Sequence, residues 1–134
     1  MKYLLDTNIC IRYLNKRSET IINHMRQHQP TDIVVCSVVK AELFTGAMKS
    51  EYPERTLKKQ IHFLSKFVSL PFDDKSATEY SKIRASLEKA GTPIGPNDLL
   101  IASIAIANEL ILVSNNTREF QRITELHLEN WESQ

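Results

Sequence analysis

Tyr3-Leu4-Leu5-Asp6-Thr7-Asn8 is a short apolar run that ends abruptly in three cap-forming residues. Ile9, Ile11, Tyr13 and Leu14 follow at spacings that suit a short helix, so the first unit is a strand running into a helix. The same unit recurs downstream. Ile33-Val34-Val35-Cys36 precedes the cap Ser37 and a helix from Val38 to Met48, where Val38, Val39, Leu43 and Ala47 keep helical spacing. Phe67-Val68-Ser69-Leu70 precedes the caps Asp73-Asp74 and a helix that runs through about Lys89 and closes at Ala90-Gly91. Leu110-Ile111-Leu112-Val113 is the last clear strand, and Leu126-His127-Leu128 is a weak terminal one. Further helices are expected over Glu19 to Gln27, Pro53 to about Lys66 and Pro96 to about Asn108, with both prolines in a first turn.

The strands read as continuous apolar runs instead of alternating ones, which argues for a parallel sheet covered by helices on both faces. Ligands of such sheets bind outside the carboxyl ends of the strands, near a topological switch point. The residues just after each strand therefore carry the functional weight.

Composition narrows the classes further. At 134 residues the chain has the size of one domain, and 42% hydrophobic with 25% charged residues excludes disordered and fibrous chains. Seventeen basic against sixteen acidic residues give a net charge of +1, so any polyanion must be held by a local patch. Leu99 to Ala107, the longest apolar run, contains Ser103 and falls far short of the roughly 20 residues that cross a bilayer. Asp6 arrives too soon after Met1 for a signal peptide, and the expectation is a cytoplasmic protein without a membrane segment. Cys10 and Cys36, the only cysteines, read as reduced core residues.

Acids and amides gather at the strand ends. Asp6 directly follows the first strand, Glu42 lies in the second turn of the helix after the second, and Asp98 in the first turn of the Pro96 helix. Ser114-Asn115-Asn116-Thr117-Arg118-Glu119 follows the last clear strand. Asp6 and Asp98 could serve their helices alone, as a cap and as a first-turn acid. Glu42 resists that explanation, because four-residue steps place it beside the Val39, Leu43, Ala47 stripe, where an unpaired charge is costly. Carboxylates converging at a half-buried edge repel one another unless a cation neutralises them, and oxygen ligands of this kind suit Mg²⁺.

These segments resemble a known family. Leu4-Leu5-Asp6-Thr7-Asn8, Ala41-Glu42-Leu43-Phe44-Thr45-Gly46, Pro93 to Ala102 (PIGPNDLLIA) and Val113 to Phe120 (VSNNTREF) look like the PIN-domain ribonuclease toxins of the VapC type, in that family's order and over nearly the whole chain. The resemblance implies an α/β fold, a three-layer α/β/α sandwich with a mostly parallel central sheet, with residues 1–134 forming one PIN domain. It implies a metal-dependent endoribonuclease using Mg²⁺, with Mn²⁺ able to substitute. Asp6 and Asp98 become the most direct metal ligands and Glu42 a ligand or a water-held group; Thr7, Asn8 and Ser114 orient waters and carboxylates. Many PIN domains carry a further Asp two residues beyond that serine. Here Asn116 stands there, a neutral carbonyl that weakens capture of a second ion, and Glu119 could act in its place through water.

The implied substrate is a structured RNA such as transfer RNA, and the implied partners are a cognate VapB-type antitoxin and a second copy of the chain. Arg12, Lys16, Lys40 and Arg118 neighbour the acidic segments and are the expected phosphate contacts, with Arg17, Lys49 and Arg122 nearby. Competing readings are weaker. A phospho-receiver wants a second adjacent acid and a phosphatase an Asp two residues past Asp6, where the chain has Thr7 and Asn8. A PIN-like domain that binds RNA or an antitoxin without cleaving is the remaining alternative, motivated by Asn116. His24 and His28 are four apart like half a zinc site but lack a third ligand nearby, and Trp131 is expected to pack or fray.

Overall fold

The computed structural model describes residues 1–132. Five strands, β1 (Tyr3–Leu5), β2 (Ile33–Cys36), β3 (Val68–Leu70), β4 (Ile111–Val113) and β5 (Leu128–Glu129), form one sheet in the order β3-β2-β1-β4-β5. Every pairing is parallel, with Tyr3 opposite both Ile33 and Ile111. Seven helices are described around it: α1 (Thr7–Leu14), α2 (Glu19–Gln27), α3 (Ser37–Met48), α4 (Pro53–Leu64), α5 (Asp74–Lys89), α6 (Pro96–Ala107) and α7 (Thr117–Phe120). This is the three-layer α/β/α arrangement that the alternation of strands and helices predicts.

Burial explains the continuous apolar runs. All residues of β1 and β2 are buried, as are Leu112 and Val113 of β4, which requires cover on both faces. Complete burial of Leu4, Leu5 and Leu112 contributes about 1.5–3 kcal/mol each. The edge strands β3 and β5 are less covered, and Val68 is exposed. α6 is apolar almost all round, with Leu99, Ile101, Ala102, Ser103, Ile104 and Ala105 buried, because α5 packs along it on the outside.

From β1 the chain builds outward to β2 and β3, then crosses back to place β4 on the other side of β1. The switch point lies between β1 and β4, so Asp6 and Ser114, the residues that follow those two strands, face one another across it.

Several local expectations are revised. Ser37 is not a cap: Cys36 is the extended residue before α3, Ser37 is already helical, and its hydroxyl reaches the Leu70 carbonyl at 3.5 Å. α4 ends at Leu64 and β3 starts at Val68, with the Phe67 ring edge-on against Phe63 at 5.2 Å in the link between them. β5 pairs through Leu128 and Glu129, not Leu126, with Leu128 opposite Leu112. Asp73 caps α5 as expected, accepting from the Ser76 N–H at 3.0 Å, and Gly91 leaves that helix at φ 73°.

Trp131 packs. Trp131 is 1% exposed and its ring stacks with His24 and with His28 at 5.1 and 5.2 Å, with Tyr3 edge-on at 5.1 Å. The two histidines thus dock the C-terminal segment onto α2 by aromatic stacking. No helix among the described residues is long and apolar enough to cross a membrane.

Candidate active site

Asp6 ends β1 and caps α1, accepting the Thr7 backbone N–H at Oδ1 over 2.9 Å. Its Oδ2 accepts the Ser114 hydroxyl at 2.6 Å, and the Ser114 oxygen in turn accepts the Asn116 N–H at 2.9 Å. Asp6 is 4% exposed, and burial pushes its carboxyl above the usual range; the Ser114 and Thr7 bonds oppose that rise, and the charge of Glu42 adds to it.

Glu42 leans in from α3. The Thr7 hydroxyl donates to its Oε1 at 2.5 Å and the Asn97 amide to its Oε2 at 3.3 Å, so α1, α3 and α6 meet at this carboxylate. Asp98 is the third residue of α6 and stands at the centre of the group. Burial first, then the charge of Asp6 and hydrogen bonding with Glu119, push it up to about 7. The Asn116 amide Nδ2 donates to Asp98 Oδ2 at 3.0 Å and to Glu119 Oε2 at 3.3 Å.

Asp6, Glu42, Asp98, Asn116 and Glu119 therefore come together at the carboxyl edge of the sheet, with Thr7 and Ser114 holding two of the carboxylates. Asn8 is exposed and makes no hydrogen bond to them among the described residues. Asn116 presents its amide N–H₂ to the acids, where the sequence suggested a carbonyl ligand; with only carboxylates facing it, the donor end is the one they attract. Asn97 was not singled out by the sequence. Its signal was its place beside Asp98 in the first turn of α6, opposite a glutamate whose nearness only the fold supplies.

The electrostatics of this edge are unbalanced. Among the described residues none of the four carboxylates is paired with Lys or Arg; the ion pairs are Arg12–Glu132, Lys82–Glu79 and Arg84–Glu88. Neutral donors hold like charges together, and all the available donor atoms are hard oxygens suited to Mg²⁺. No three acidic, imidazole or thiol side chains among the described residues converge tightly enough to enclose a bare ion.

Open space adjoins the cluster. A cavity of about 310 Å³ is lined by Ile11, Leu14, Leu43, Glu42, Lys59 and Gln60, and a shallower one of about 410 Å³ by Glu42, Thr45, Gly46, Lys49 and Asn97. Glu42 and Gly46, one turn apart on α3, line both. Of the expected phosphate contacts, Lys16 and Arg118 are exposed and Lys40 is half-buried beside Glu42 in α3. Arg12 is partly exposed and its guanidinium is paired with Glu132, whose other carboxylate oxygen accepts the Asn115 amide at 3.2 Å. Cys10 and Cys36 are buried and unbonded, and burial pushes the Cys36 thiol up to about 11, far from a reactive thiolate at neutral pH.

A five-stranded parallel sheet with acids drawn to its switch point is the plan of a PIN domain, and residues 3–126 match the family model of that description. The chain is 44% identical over 131 residues to Ribonuclease VapC2 of Haemophilus influenzae, covering 98% of each chain. It is 40% identical, again covering 98% of each, to the tRNA(fMet)-specific endonuclease VapC of Shigella flexneri. Among solved structures, VapBC2 from Rickettsia felis bound to a DNA fragment from its promoter superposes with a TM-score of 0.89 at 41% identity, covering 98% of this chain and 99% of that one. This chain belongs to the PIN-domain family and, within it, to the VapC ribonucleases.

Proposed function

We propose that this chain is the Mg²⁺-dependent endoribonuclease toxin of a toxin–antitoxin pair, cleaving a phosphodiester of transfer RNA in the cytoplasm. The observation that carries the metal reading is the group of four carboxylates, Asp6, Glu42, Asp98 and Glu119, gathered without a described basic partner. A divalent ion, with Mn²⁺ able to replace Mg²⁺, would supply an activated water and compensate charge on the scissile phosphate. Asp6 and Asp98 would hold it directly, and Glu42 either directly or through water. Sparse direct ligation is the habit of Mg²⁺, which keeps several waters and takes one or two carboxylates.

The remaining work belongs to side chains that position others. Ser114 and the Thr7 N–H fix both oxygens of Asp6, and the Thr7 hydroxyl with Asn97 fixes both of Glu42, so neither carboxylate must reorganise when phosphate arrives. Lys40 and Arg118 neighbour Glu42 and Glu119 in the chain and would take phosphates of the RNA, with Lys16 two residues past the end of α1. The Shigella flexneri relative named for tRNA(fMet) supports a transfer RNA substrate. The VapBC structure supports a VapB-type antitoxin as partner; the family resemblance suggests in addition that two copies of the chain would form the working toxin.

The test is cleavage of a transfer RNA by purified, partner-free protein with Mg²⁺, with Mn²⁺ and with EDTA, beside an Asp98→Asn control. Cutting that requires a divalent ion and Asp98 supports the assignment. Cutting undiminished in EDTA removes the metal, and RNA ends identical in cells expressing the two forms would instead favour a binder that does not cleave.

A further inference from the structure

We propose that Asn116 closes the Glu119 side of the acid cluster to a divalent ion, so that the site takes a single ion per chain, between Asp98 and the Asp6–Glu42 side. The inference rests on the metal-dependent reading above and concerns what this one side chain does to it.

Asp98 has acids on two sides. Asp6 and Glu42 lie on one, each oxygen held by its own separate donor: Thr7 N–H and Ser114 on Asp6, Thr7 hydroxyl and Asn97 on Glu42. Among the described residues no donor is shared between Asp6 and Asp98, in contrast to the other side of Asp98. On the other side one amide nitrogen spans the gap, donating to Asp98 Oδ2 at 3.0 Å and to Glu119 Oε2 at 3.3 Å. Its two hydrogens occupy the position between two carboxylates that a second ion would need, and they carry the same sign of charge as that ion.

The amide is anchored from behind. Asn116 precedes α7, its backbone N–H is donated to Ser114 at 2.9 Å, and Ser114 is bound to Asp6 at 2.6 Å. The backbone from which the amide projects is thus tied to the loop that holds Asp6. Turning the amide to offer its carbonyl would break both donor bonds and set the oxygen against two carboxylates until an ion arrived. Asn116 is thus a positioning residue: it keeps Asp98 and Glu119 together as a bound pair and leaves the opposite face of Asp98 for the metal.

Chelator-treated full-length protein is titrated with Mn²⁺, with the unbound ion followed by its paramagnetic resonance signal and the heat by calorimetry. Wild type should bind one ion per chain. Asn116→Asp removes the donor and adds a carboxylate, so it should bind two, melt lower than wild type without metal, and gain more melting temperature from Mn²⁺. Two ions in wild type would overturn the proposal, and that count decides the matter even if Asn116→Asp folds poorly. A folded Asn116→Asp that still binds one ion would also overturn it. Failure of wild type to bind any Mn²⁺ would defeat the metal reading itself, and this proposal with it.

Discussion

The Ser114 hydroxyl donates to Asp6 across 2.6 Å, joining the residue after β4 to the residue after β1, 108 positions away in the chain. The bond spans the switch point of the sheet, so two strand ends that diverge in sequence are locked at the place where the acids meet. Removing that hydroxyl leaves a buried carboxylate short of one donor. Ser114→Ala should lose about 1.5–3 kcal/mol of stability, the range for hydrogen bonds to charged groups. It should also lose about 10–100-fold in RNA cleavage, as expected when a ligand's supporting partner goes. Urea denaturation and initial cleavage rates measure the two effects separately.

Asp98→Asn keeps the side-chain volume while removing the charge at the centre of the cluster. Cleavage should fall by at least the order of 10²–10³ that one preorganised electrostatic group is worth. Metal-free stability should hold or rise, since the variant no longer forces a charge among Asp6, Glu42 and Glu119. Parallel thermal melts and cleavage assays check the opposite signs; a variant that loses both would point to a structural role for Asp98.

The same crowding makes metal-free stability depend on pH. Asp98 titrates near 7 in the fold against 3.8 for an unperturbed Asp, so between those values the folded state holds a proton that the unfolded state has lost. Stability contributed by the protonated form is therefore complete below about pH 4 and lost progressively as pH rises towards 7. In EDTA the melting temperature should fall over that window, and Asp98→Asn should flatten the slope. Melts between pH 4.5 and 8 decide it.

Arg12 and Arg118 both neighbour the acids in sequence, yet the fold gives them different surroundings. Arg12 is paired with Glu132, whereas Arg118 is exposed beside Glu119. Arg118→Ala should raise KM for RNA and weaken its salt dependence with little change in stability. Arg12→Ala should act chiefly on stability, by releasing Glu132 from α1. Cleavage kinetics at two salt concentrations, together with melts of both variants, separate these roles.

Trp131 closes the molecule from its C-terminal end. Stacked with His24 and His28 and bonded through Nε1 to Glu129 at 2.9 Å, it covers Tyr3 of β1. Trp131→Ala should cost about 3–5 kcal/mol, the range for large aromatic truncations in a core. Calorimetry should show the loss as a lower melting temperature.

Much of this was readable in one dimension. Leu4-Leu5-Asp6, Val35-Cys36 and Leu112-Val113-Ser114 are local patterns: apolar runs this short, bounded by caps and turn residues, read as strands covered on both faces, and a polar residue directly after one sits at the sheet's carboxyl edge. Element order, the parallel sheet and the set of acids at its rim follow from such runs, from the caps and from helical spacing.

What the sequence could not order was contact between residues far apart in it, because propensity and periodicity act over a few residues while a hydrogen bond is decided within tenths of an ångström. Only the tertiary structure put β4 beside β1, gave Glu42 the Thr7 hydroxyl and the Asn97 amide, and occupied Arg12 with Glu132. It also turned the Asn116 amide so that nitrogen, not oxygen, faces the acids, since carboxylates assembled from three other segments set the field in which that side chain must orient.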